Sequence, residues 1–341
     1  MGTSSLVAGV DSSTQATKVV IVDADSGAAV ATGTARHTVS GTGGARETDP
    51  REWWTALQSA LAATGRASEV AAIAVAGQQH GLVVLDEKGV PLRPASLWND
   101  TRAAPDAERL TDQLGAATWA GLTGLRPVAS FTVCKWAWLR RTEPEVAAAT
   151  AAIRLPHDYV TERLTGRGTT DRSDVSGTGW WSPATGRYLD EILGLPDVRL
   201  PARLLPVVVG PAEVAGTVSA AAGAELGLRP GTPVGPGAGD NAGASLGLGL
   251  RVGQAAMSLG TSGTIFAVAE RPAADPTGIV AGFADATGRF LPLVATLNAA
   301  RVLDAAAALL GVDHAELSRL ALAAPAGAGG LVVVPYLEGE R

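Results

Sequence analysis

The sequence predicts an α/β protein made of two duplicated domains with a cleft between them. Its 341 residues exceed what one ordinary hydrophobic core supports, so two domains are expected. Short apolar strands alternate with helical segments along the chain. In addition, "GVDSSTQATKVVIV" near the start and "MSLGTSGTIFAV" late in the chain share one plan, in which two strands flank a turn of hydroxyl and small residues. A hairpin that recurs in this way indicates duplication.

The chain start predicts three strands in succession, namely "SLVAGVD", "KVVIVDADSG" and "AAVATGTARH". The segment "TDPREWWTALQSALAATG" then predicts a helix. Asp49 is its expected N-cap, Pro50 suits its first turn, and Glu52 lies three residues after the cap. Next, "VAAIAVAGQQHGLVVLD" predicts two strands around a polar break, and "RPASLWNDTRAA" predicts a strand that leads into a polar loop.

The middle of the chain, residues 102–200, is predicted to be mostly helical, with "SFTVCKWAWLRRTEPEVAAAT" and "DYVTERLTG" as its clearest helices. The segment "TTDRSDVSGTGWW" is predicted to be a polar loop, and Asp158 and Asp174 are expected to be structural caps. Further on, "GTPVGPGAGDNAGASLGLGL" predicts a strand, a glycine-rich loop and a helix of small residues. "QAAMSLGTSGTIFAVAE" predicts a strand, a tight turn and a strand.

Composition excludes several classes of protein. A hydrophobic content of 46% and a charged fraction of 18% are typical of a soluble globular chain. The net charge is −6 and there is no basic run, so no nucleic acid partner is expected. No apolar run reaches the roughly 20 residues of a membrane helix, and the N-terminus lacks the features of a signal peptide. A cytoplasmic protein without a membrane partner is therefore expected.

The segment "PGAGDNAG", residues 236–243, has three possible interpretations. It could be a turn, a dinucleotide-binding loop of the G-x-G-x-x-A type, or a catalytic carboxylate that faces a phosphate. A dinucleotide loop needs an acidic residue about 20 positions later, and the next acidic residue is Glu270. The chain also lacks a P-loop motif and a protein-kinase motif set. These absences favour the third interpretation.

Two carboxylates carry that interpretation. Asp11 ends the first strand beside a Ser-Ser-Thr turn, where it could hold Mg²⁺. Asp240 follows another strand, where it could take the proton of an acceptor hydroxyl. Taken singly, Asp11 is better explained as a turn aspartate and Asp240 as a helix N-cap. Together with two hairpins whose turns suit phosphate oxygens, they indicate phosphoryl transfer.

At this level of detail the chain resembles the FGGY family of carbohydrate kinases, and within it the kinases of ketopentoses. The resemblance covers essentially the whole chain, and its motifs occur in the family's order: "GVDSSTQATKVVIV", "DPREWW", "IAVAGQQHGLVVLD", "RPASLWNDTR", "LPHDYVTERLTG", "TDRSDVSGTGWW", "GAGDNAGASLGLG", "SLGTSGTIFAV" and "PYLEGER". The resemblance implies an actin-like, ribonuclease H-like pair of domains. It also implies that sugar and MgATP, with ATP and Mg²⁺ as cofactors, bind in the cleft.

The resemblance also implies roles for individual residues. Asp240 would be the general base, and Asp11 would lie near the metal and the γ-phosphate, so both carboxylates are candidate metal ligands. The candidate sugar contacts are Gln79, His80, Asn241, Trp98, Asn99 and Asp100. The candidate phosphate contacts are Ser13, Thr14, Lys18, Gly260, Thr261, Ser262 and Gly263. The Gln79–His80 pair argues against glycerol, because the family has a charged pair there when glycerol is the substrate.

By the same resemblance, residues 1–248 would form the N-terminal domain and residues 249–341 the incomplete start of the C-terminal, nucleotide-binding domain. "PYLEGER" begins a family motif, and the segment that holds adenine in the family is absent, so a fragment of a longer kinase is expected. The alternatives are a kinase of another ketose or polyol, or an inactive actin-like sugar-binding fragment. A homodimer is one assembly that the resemblance allows.

Overall fold

The computed structural model describes residues 5–260 and 262–337, which form nineteen strands and twelve helices. The strands are β1 (Leu6–Ser12), β2 (Ala16–Asp23), β3 (Ala29–Arg36), β4 (Glu47–Thr48), β5 (Val70–Gly77), β6 (Val83–Leu85), β7 (Ala95–Ser96), β8 (Ala152–Arg154), β9 (Thr169–Asp171), β10 (Trp181–Ser182), β11 (Arg187–Tyr188), β12 (Val207–Val209), β13 (Gly216–Thr217), β14 (Pro233–Val234), β15 (Ala238–Gly239), β16 (Ala255–Leu259), β17 (Gly263–Ala267), β18 (Ala281–Ala284) and β19 (Phe290–Thr296). The helices are α1 (Pro50–Thr64), α2 (Ala104–Leu114), α3 (Ala116–Thr123), α4 (Thr132–Thr142), α5 (Pro144–Ala149), α6 (Pro156–Thr165), α7 (Arg172–Val175), α8 (Asp190–Leu193), α9 (Ala220–Leu226), α10 (Asp240–Gly247), α11 (Ala300–Leu310) and α12 (His314–Ala323).

The first sheet has the strand order β13-β14-β5-β1-β2-β3, and β15 also pairs with β5. The predicted meander is confirmed, since β1, β2 and β3 are joined antiparallel. Beyond the meander, β5 runs parallel to β1, and β14 and β15 run parallel to β5, whereas the edge strand β13 is antiparallel to β14. The carboxyl ends of β1, β5 and β15 therefore lie at one edge, where open α/β sheets bind ligands.

Helix α1 covers one face of this sheet and begins as the sequence predicts. Asp49 is its N-cap and accepts a hydrogen bond from the backbone N–H of Arg51 at 3.0 Å. Glu52 binds the backbone N–H of Thr38 at 2.7 Å, which ties the helix to the segment after β3. Trp53 and Leu57 lie on the buried face of α1 and pack into the core of the first sheet.

The second sheet has the order β16-β17-β19-β18 and is antiparallel throughout. Its first hairpin, β16–β17, was predicted from its likeness to β1–β2, and both hairpins are confirmed. Phe266, Phe283 and Leu291 of this sheet share one core with the helical middle of the chain. The second sheet is thereby fixed against the elements that follow the first.

The segment "TTDRSDVSGTGWW" was predicted to be a polar loop, and that prediction is wrong. It begins with strand β9, continues with the short helix α7, and ends at the start of β10. Nearly all of its residues are buried. Several of its polar side chains bond to nearby backbone inside the protein. Asp171, for example, caps α7 by accepting from the N–H groups of Ser173 and Asp174.

The helices in residues 5–260 and 262–337 are all too short or too polar to span a lipid bilayer.

Candidate active site

A cavity of about 740 Å³ opens between the two sheets. The sequence-predicted residues that line it are Thr14, Gln79, His80, Trp98, Asp240, Asn241, Gly260, Ser262 and Gly263. These residues come from distant parts of the chain. The structure therefore brings candidate sugar and phosphate contacts around one cavity, as the resemblance implied.

Strand register explains why the two candidate catalytic carboxylates lie near each other, with Asp240 in the cavity lining and Asp11 beside it. Ser12, at the end of β1, and Gly239, at the end of β15, are both register partners of Gly77 on β5. Asp11 and Asp240, each next to one of these residues, are consequently placed at the same edge of the sheet. The charge of Asp11 acts on Asp240 across this short span.

The glycines of residues 236–243 make room for neighbouring groups. A Cβ at Gly239 would lie 2.6 Å from the side-chain nitrogen of Gln79. Gly237 has a φ of +81°, and a Cβ there would lie 2.4 Å from the carbonyl oxygen of Val75. The bare backbone around Asp240 therefore exists so that Gln79 and strand β5 can approach it closely. The interpretation as a turn accounts for only part of the pattern.

Asp240 is the first residue of α10, and its electrostatic environment suits a base. Burial raises the pKa of Asp240 to about 6, and the nearby Asp11 charge also raises it. The hydrogen bonds from Asn241 act in the opposite direction, since its backbone N–H and its side-chain nitrogen donate to Asp240 Oδ1 at 2.7 and 2.9 Å. A carboxylate with a pKa near neutrality can both accept and release a proton at physiological pH.

Asn241 connects this carboxylate to the predicted sugar contacts and to the second sheet. Its side-chain nitrogen also donates to Gln79 Oε1 at 3.2 Å. Its side-chain oxygen accepts from the hydroxyl of Thr264 on β17 at 3.3 Å. Asp240, Asn241 and Gln79 are therefore one hydrogen-bonded unit, which Thr264 joins to the second sheet.

His80 is held in the cavity wall by rings and by its own backbone. Its imidazole is packed edge-on against Phe131 at 5.2 Å between centroids and is tilted against Phe283 at 5.3 Å. The backbone of His80 has a φ of 67°, in the left-handed region that residues with side chains seldom adopt. This unusual conformation directs the imidazole to one place in the cavity wall.

We expect Gly177→Ala to weaken sugar binding about tenfold, the loss of one good hydrogen bond, because a Cβ at Gly177 would lie 2.2 Å from the His80 ring. The check is the sugar dissociation constant by calorimetry. Gly121→Ala is the matched control, since Gly121 is an exposed helix position with open space around it. Equal sugar affinities of the Gly177→Ala protein and the unsubstituted protein would contradict the positioning of His80 by Gly177.

The two hairpin turns reach the cavity from opposite sheets. In the first, the indole nitrogen of Trp98 donates to the Thr14 hydroxyl at 2.9 Å, which joins a predicted sugar contact to a predicted phosphate contact. In the second, the backbone N–H of Gly260 donates to the carbonyl of Ser262 at 3.0 Å. Thr261, another predicted member of that turn, lies outside the described residues.

Other predicted site residues lie beside the cavity and outside its lining: Asp11, Ser13, Lys18, Asn99 and Asp100. Ser13 donates its hydroxyl to Asp11 Oδ1 at 2.7 Å. Lys18 is the cross-strand partner of Asp11, and both are exposed, so the two side chains share one face of the sheet.

Asp100 has partners of a different kind from those expected. It is buried, and its carboxylate accepts from the backbone N–H of Arg46 at 3.0 Å and from the guanidinium of Arg102 at 2.6 Å. These bonds give Asp100 a structural part in holding the loop after β7. Asn99 stands before it, and the side-chain oxygen of Asn99 is buried without a hydrogen-bond partner.

Sequence reasoning missed much of the cavity wall. Residues 125–128 and 277–281 line the far side, joined by a hydrogen bond from the Arg126 guanidinium to the carbonyl of Thr277 at 3.2 Å. Their residue types carry no chemical signature, and they meet because the second sheet packs against the helical middle. The one available signal was "SFTVCKWAW", because Phe131 is the second residue of that predicted helix and its ring packs against His80.

A buried cluster of charged residues lies beneath the site, and sequence reasoning also missed it. The imidazole Nε2 of His157 lies 3.2 Å from Asp158, 3.2 Å from Asp171 and 3.5 Å from Asp174. Burial lowers the pKa of His157, but the three carboxylates outweigh burial and raise it to about 9. The imidazole is thus held as a cation that compensates the buried carboxylates.

Asp158 and Asp174 were both expected to be caps, and the structure confirms only one of these predictions. Asp158 is a cap as predicted, since it accepts from the backbone N–H of Leu155 at the start of α6 at 2.9 Å. Asp174 is not a cap, and the prediction for it is wrong. Asp171 caps α7 in its place, and Asp174 faces His157 inside the protein, where burial keeps its pKa well above the ordinary range.

The donor set at the cavity fits a magnesium ion brought in by a nucleotide. Magnesium is commonly held by one or two carboxylates together with substrate phosphates and water. Asp11 and Asp240 are two such carboxylates, and a cation between them would offset the repulsion that helps to raise the pKa of Asp240. In the described part of the chain, no group of three or more His, Cys, Asp or Glu residues could hold a metal ion by itself.

Comparison with known proteins places these features in a family. The model of the FGGY family of carbohydrate kinases, N-terminal domain, matches residues 6–247. The chain is 57% identical over 339 residues to a xylulose kinase of Streptomyces coelicolor, an alignment that covers 98% of this chain and 68% of that protein.

Two solved structures are similar over nearly the whole chain. The xylulose kinase of Bifidobacterium adolescentis is 42% identical with a TM-score of 0.88, over 99% of this chain and 74% of that one. The gluconate kinase of Lactobacillus acidophilus is 25% identical with a TM-score of 0.93, over 99% of this chain and 70% of that one. These likenesses confirm the predicted actin-like α/β fold. The chain belongs to the FGGY family of carbohydrate kinases.

Proposed function

We propose that this chain carries out the ATP-dependent phosphorylation of D-xylulose to D-xylulose 5-phosphate, with ADP as the other product. The observation that carries the proposal is Asp240, a carboxylate whose pKa is raised to about 6 and which is hydrogen-bonded through Asn241 to Gln79 in the wall of a cavity between two sheets. The names of the relatives support the choice of sugar.

In the proposed reaction the terminal hydroxyl of the sugar attacks the γ-phosphorus of ATP. A new O–P bond forms, the bond from the γ-phosphorus to the bridging oxygen breaks, and ADP leaves. Asp240 takes the hydroxyl proton as the bond forms. Mg²⁺, held by Asp11 and Asp240, would neutralise phosphate charge.

The cavity residues position the sugar for this transfer. Gln79, Asn241 and His80 offer amide and imidazole groups that can donate to and accept from hydroxyls. Trp98 connects the proposed sugar contacts to the proposed phosphate contacts, since its indole nitrogen donates a hydrogen bond to the Thr14 hydroxyl. The proposed phosphate contacts are the two hairpin turns, with Ser13, Thr14 and Lys18 in the first and residues 260–263 in the second.

Both sheets contribute to the cavity, so an approach of one towards the other would exclude water, and the sugar rather than water would attack. We also propose that the domains divide between residues 248 and 249, which the end of the family match at residue 247 supports. A cytoplasmic location and a homodimer stay predictions.

The test is sugar-dependent ADP release with MgATP against D-xylulose, D-ribulose, gluconate, glycerol and no sugar, with calorimetric sugar binding measured in parallel. We expect kcat/KM for D-xylulose to exceed that for every other sugar at least tenfold. A preference for gluconate would make gluconate, and not D-xylulose, the substrate, which the similarity to a gluconate kinase allows. D-xylulose binding without ADP release would favour the sugar-binding fragment, and the absence of both would overturn the proposal.

A further inference from the structure

Ser173 connects the buried cluster of charged residues to the peptide that carries Asp240. It is fully buried, and its hydroxyl accepts a hydrogen bond from the backbone N–H of Gly239 at 3.0 Å. The same hydroxyl donates to Asp171 Oδ2 at 2.5 Å. With one bond on each side, the hydroxyl has a defined orientation between the charged cluster and the residue before Asp240.

Gly239 needs this partner because of its place in the fold. It ends β15, a strand of two residues, and within the described chain β15 pairs with β5 alone. In the described part of the chain, no strand pairs with the other edge of β15. The backbone N–H of Gly239 donates to the Ser173 hydroxyl instead. The partner of Ser173 is itself fixed, because Asp171 also accepts from two backbone N–H groups of α7 and lies 3.2 Å from His157.

We propose that Ser173 is a positioning residue, which fixes the backbone at Gly239 and thereby the direction in which the Asp240 carboxylate faces the sugar hydroxyl. This inference rests on the proposed function, in which Asp240 is the base. Ser173 acts from beneath the site, through the peptide rather than on substrate. A displacement of a base by about 1 Å is enough to lower turnover by up to roughly a hundredfold.

Ser176, directly after α7, offers a matched control. Ser176 is also fully buried, donates its hydroxyl to the carbonyl of Ser173 at 2.6 Å and accepts from the backbone N–H of Ala284 at 2.9 Å. Ser173→Ala and Ser176→Ala therefore each remove one buried hydroxyl with one donated and one accepted hydrogen bond. They differ in the peptide that loses its partner, which is Gly239 in one and β18 in the other.

We expect both variants to lower the melting temperature by similar amounts, and Ser173→Ala alone to lower kcat about tenfold or more with the KM for sugar changed less than twofold. If Ser173 only stabilised the fold, the two variants would have similar kcat values. A lower kcat at unchanged KM in Ser173→Ala alone would therefore indicate positioning of Asp240. Equal kcat values for the two variants would overturn the inference.

Hydrogen exchange provides a readout that does not depend on turnover. The backbone N–H of Gly239 should exchange at least tenfold faster in the Ser173→Ala protein than in the Ser176→Ala protein, measured on fragments that cover residues 236–243. Exchange of Gly239 at the unsubstituted rate in Ser173→Ala would also overturn the inference.

The Asp240→Asn protein separates this inference from the proposed function. If Asp240→Asn keeps full turnover, the assignment of the base fails, and with it the catalytic meaning of Ser173. If Asp240→Asn is inactive while Ser173→Ala matches Ser176→Ala in kcat and in exchange, the base stands and only the positioning role of Ser173 fails.

Discussion

Asp240→Asn is expected to lower kcat by about 10²–10⁴-fold, the range that a positioned general base contributes. Asparagine has nearly the same shape as aspartate, and its side-chain oxygen can accept the same two bonds from Asn241. The fold should therefore be kept while the proton acceptor is lost. The measurement is steady-state ADP release with D-xylulose, with the melting temperature as the control for folding.

The pH dependence gives a second check on Asp240. The carboxylate must be ionised to accept a proton, so kcat/KM should fall as the pH falls through about 6. Asp11→Asn should move that midpoint to lower pH, because the Asp11 charge raises the pKa of Asp240. Asp112→Asn removes an equal charge from an exposed position. It should change neither kcat/KM nor the midpoint of its pH dependence. Turnover of Asp240→Asn within threefold of the unsubstituted protein would exclude Asp240 as the base.

His157→Gln is expected to lower the free energy of unfolding by about 3–5 kcal/mol, the usual effect of removing one partner from a buried ion pair. The substitution leaves Asp158, Asp171 and Asp174 buried without their compensating cation. Chemical denaturation at neutral pH measures the change. His314→Gln is the control, because His314 pairs with Asp304 at 3.0 Å on the surface, where an ion pair contributes little.

The pH dependence of this stability has a definite sign. The pKa of His157 is raised from 6.5 to about 9 on folding, so its charge stabilises the protein fully below pH 6.5 and the contribution is lost as the pH rises through about 9. The difference in unfolding free energy between the unsubstituted and His157→Gln proteins should shrink over that interval. A difference that stays constant from pH 6 to pH 9 would show that His157 does not act through its charge.

Local patterns predicted the parts of the site that lie where strands end. The turn after β1 and the turn after β16 were visible because hydroxyl and small residues follow apolar runs in both. Asp240 stood out because it lies among glycines directly after a strand. These features depend on a few neighbouring residues. The register of the first sheet then brings the ends of β1 and β15 together at Gly77.

Tertiary packing produced the parts that the sequence did not predict. The polarity of "TTDRSDV" is typical of an exposed loop, and only the fold shows that His157 forms ion pairs with three aspartates inside the protein. The far wall of the cavity forms where residues 277–281 meet residues 125–128, and neither segment has a distinctive composition. Contacts of this kind depend on how distant elements pack together rather than on any local pattern.

The left-handed backbone of His80 has a consequence for how this protein could be engineered. A histidine at a φ of 67° is strained, so replacement by glycine would relieve strain and remove the imidazole from the cavity wall. The same replacement would leave a gap beside Phe131 and Phe283, so the relief of strain is offset by lost packing while the proposed sugar contact is lost outright. A library screened for thermostability at this position should be screened for sugar binding at the same time.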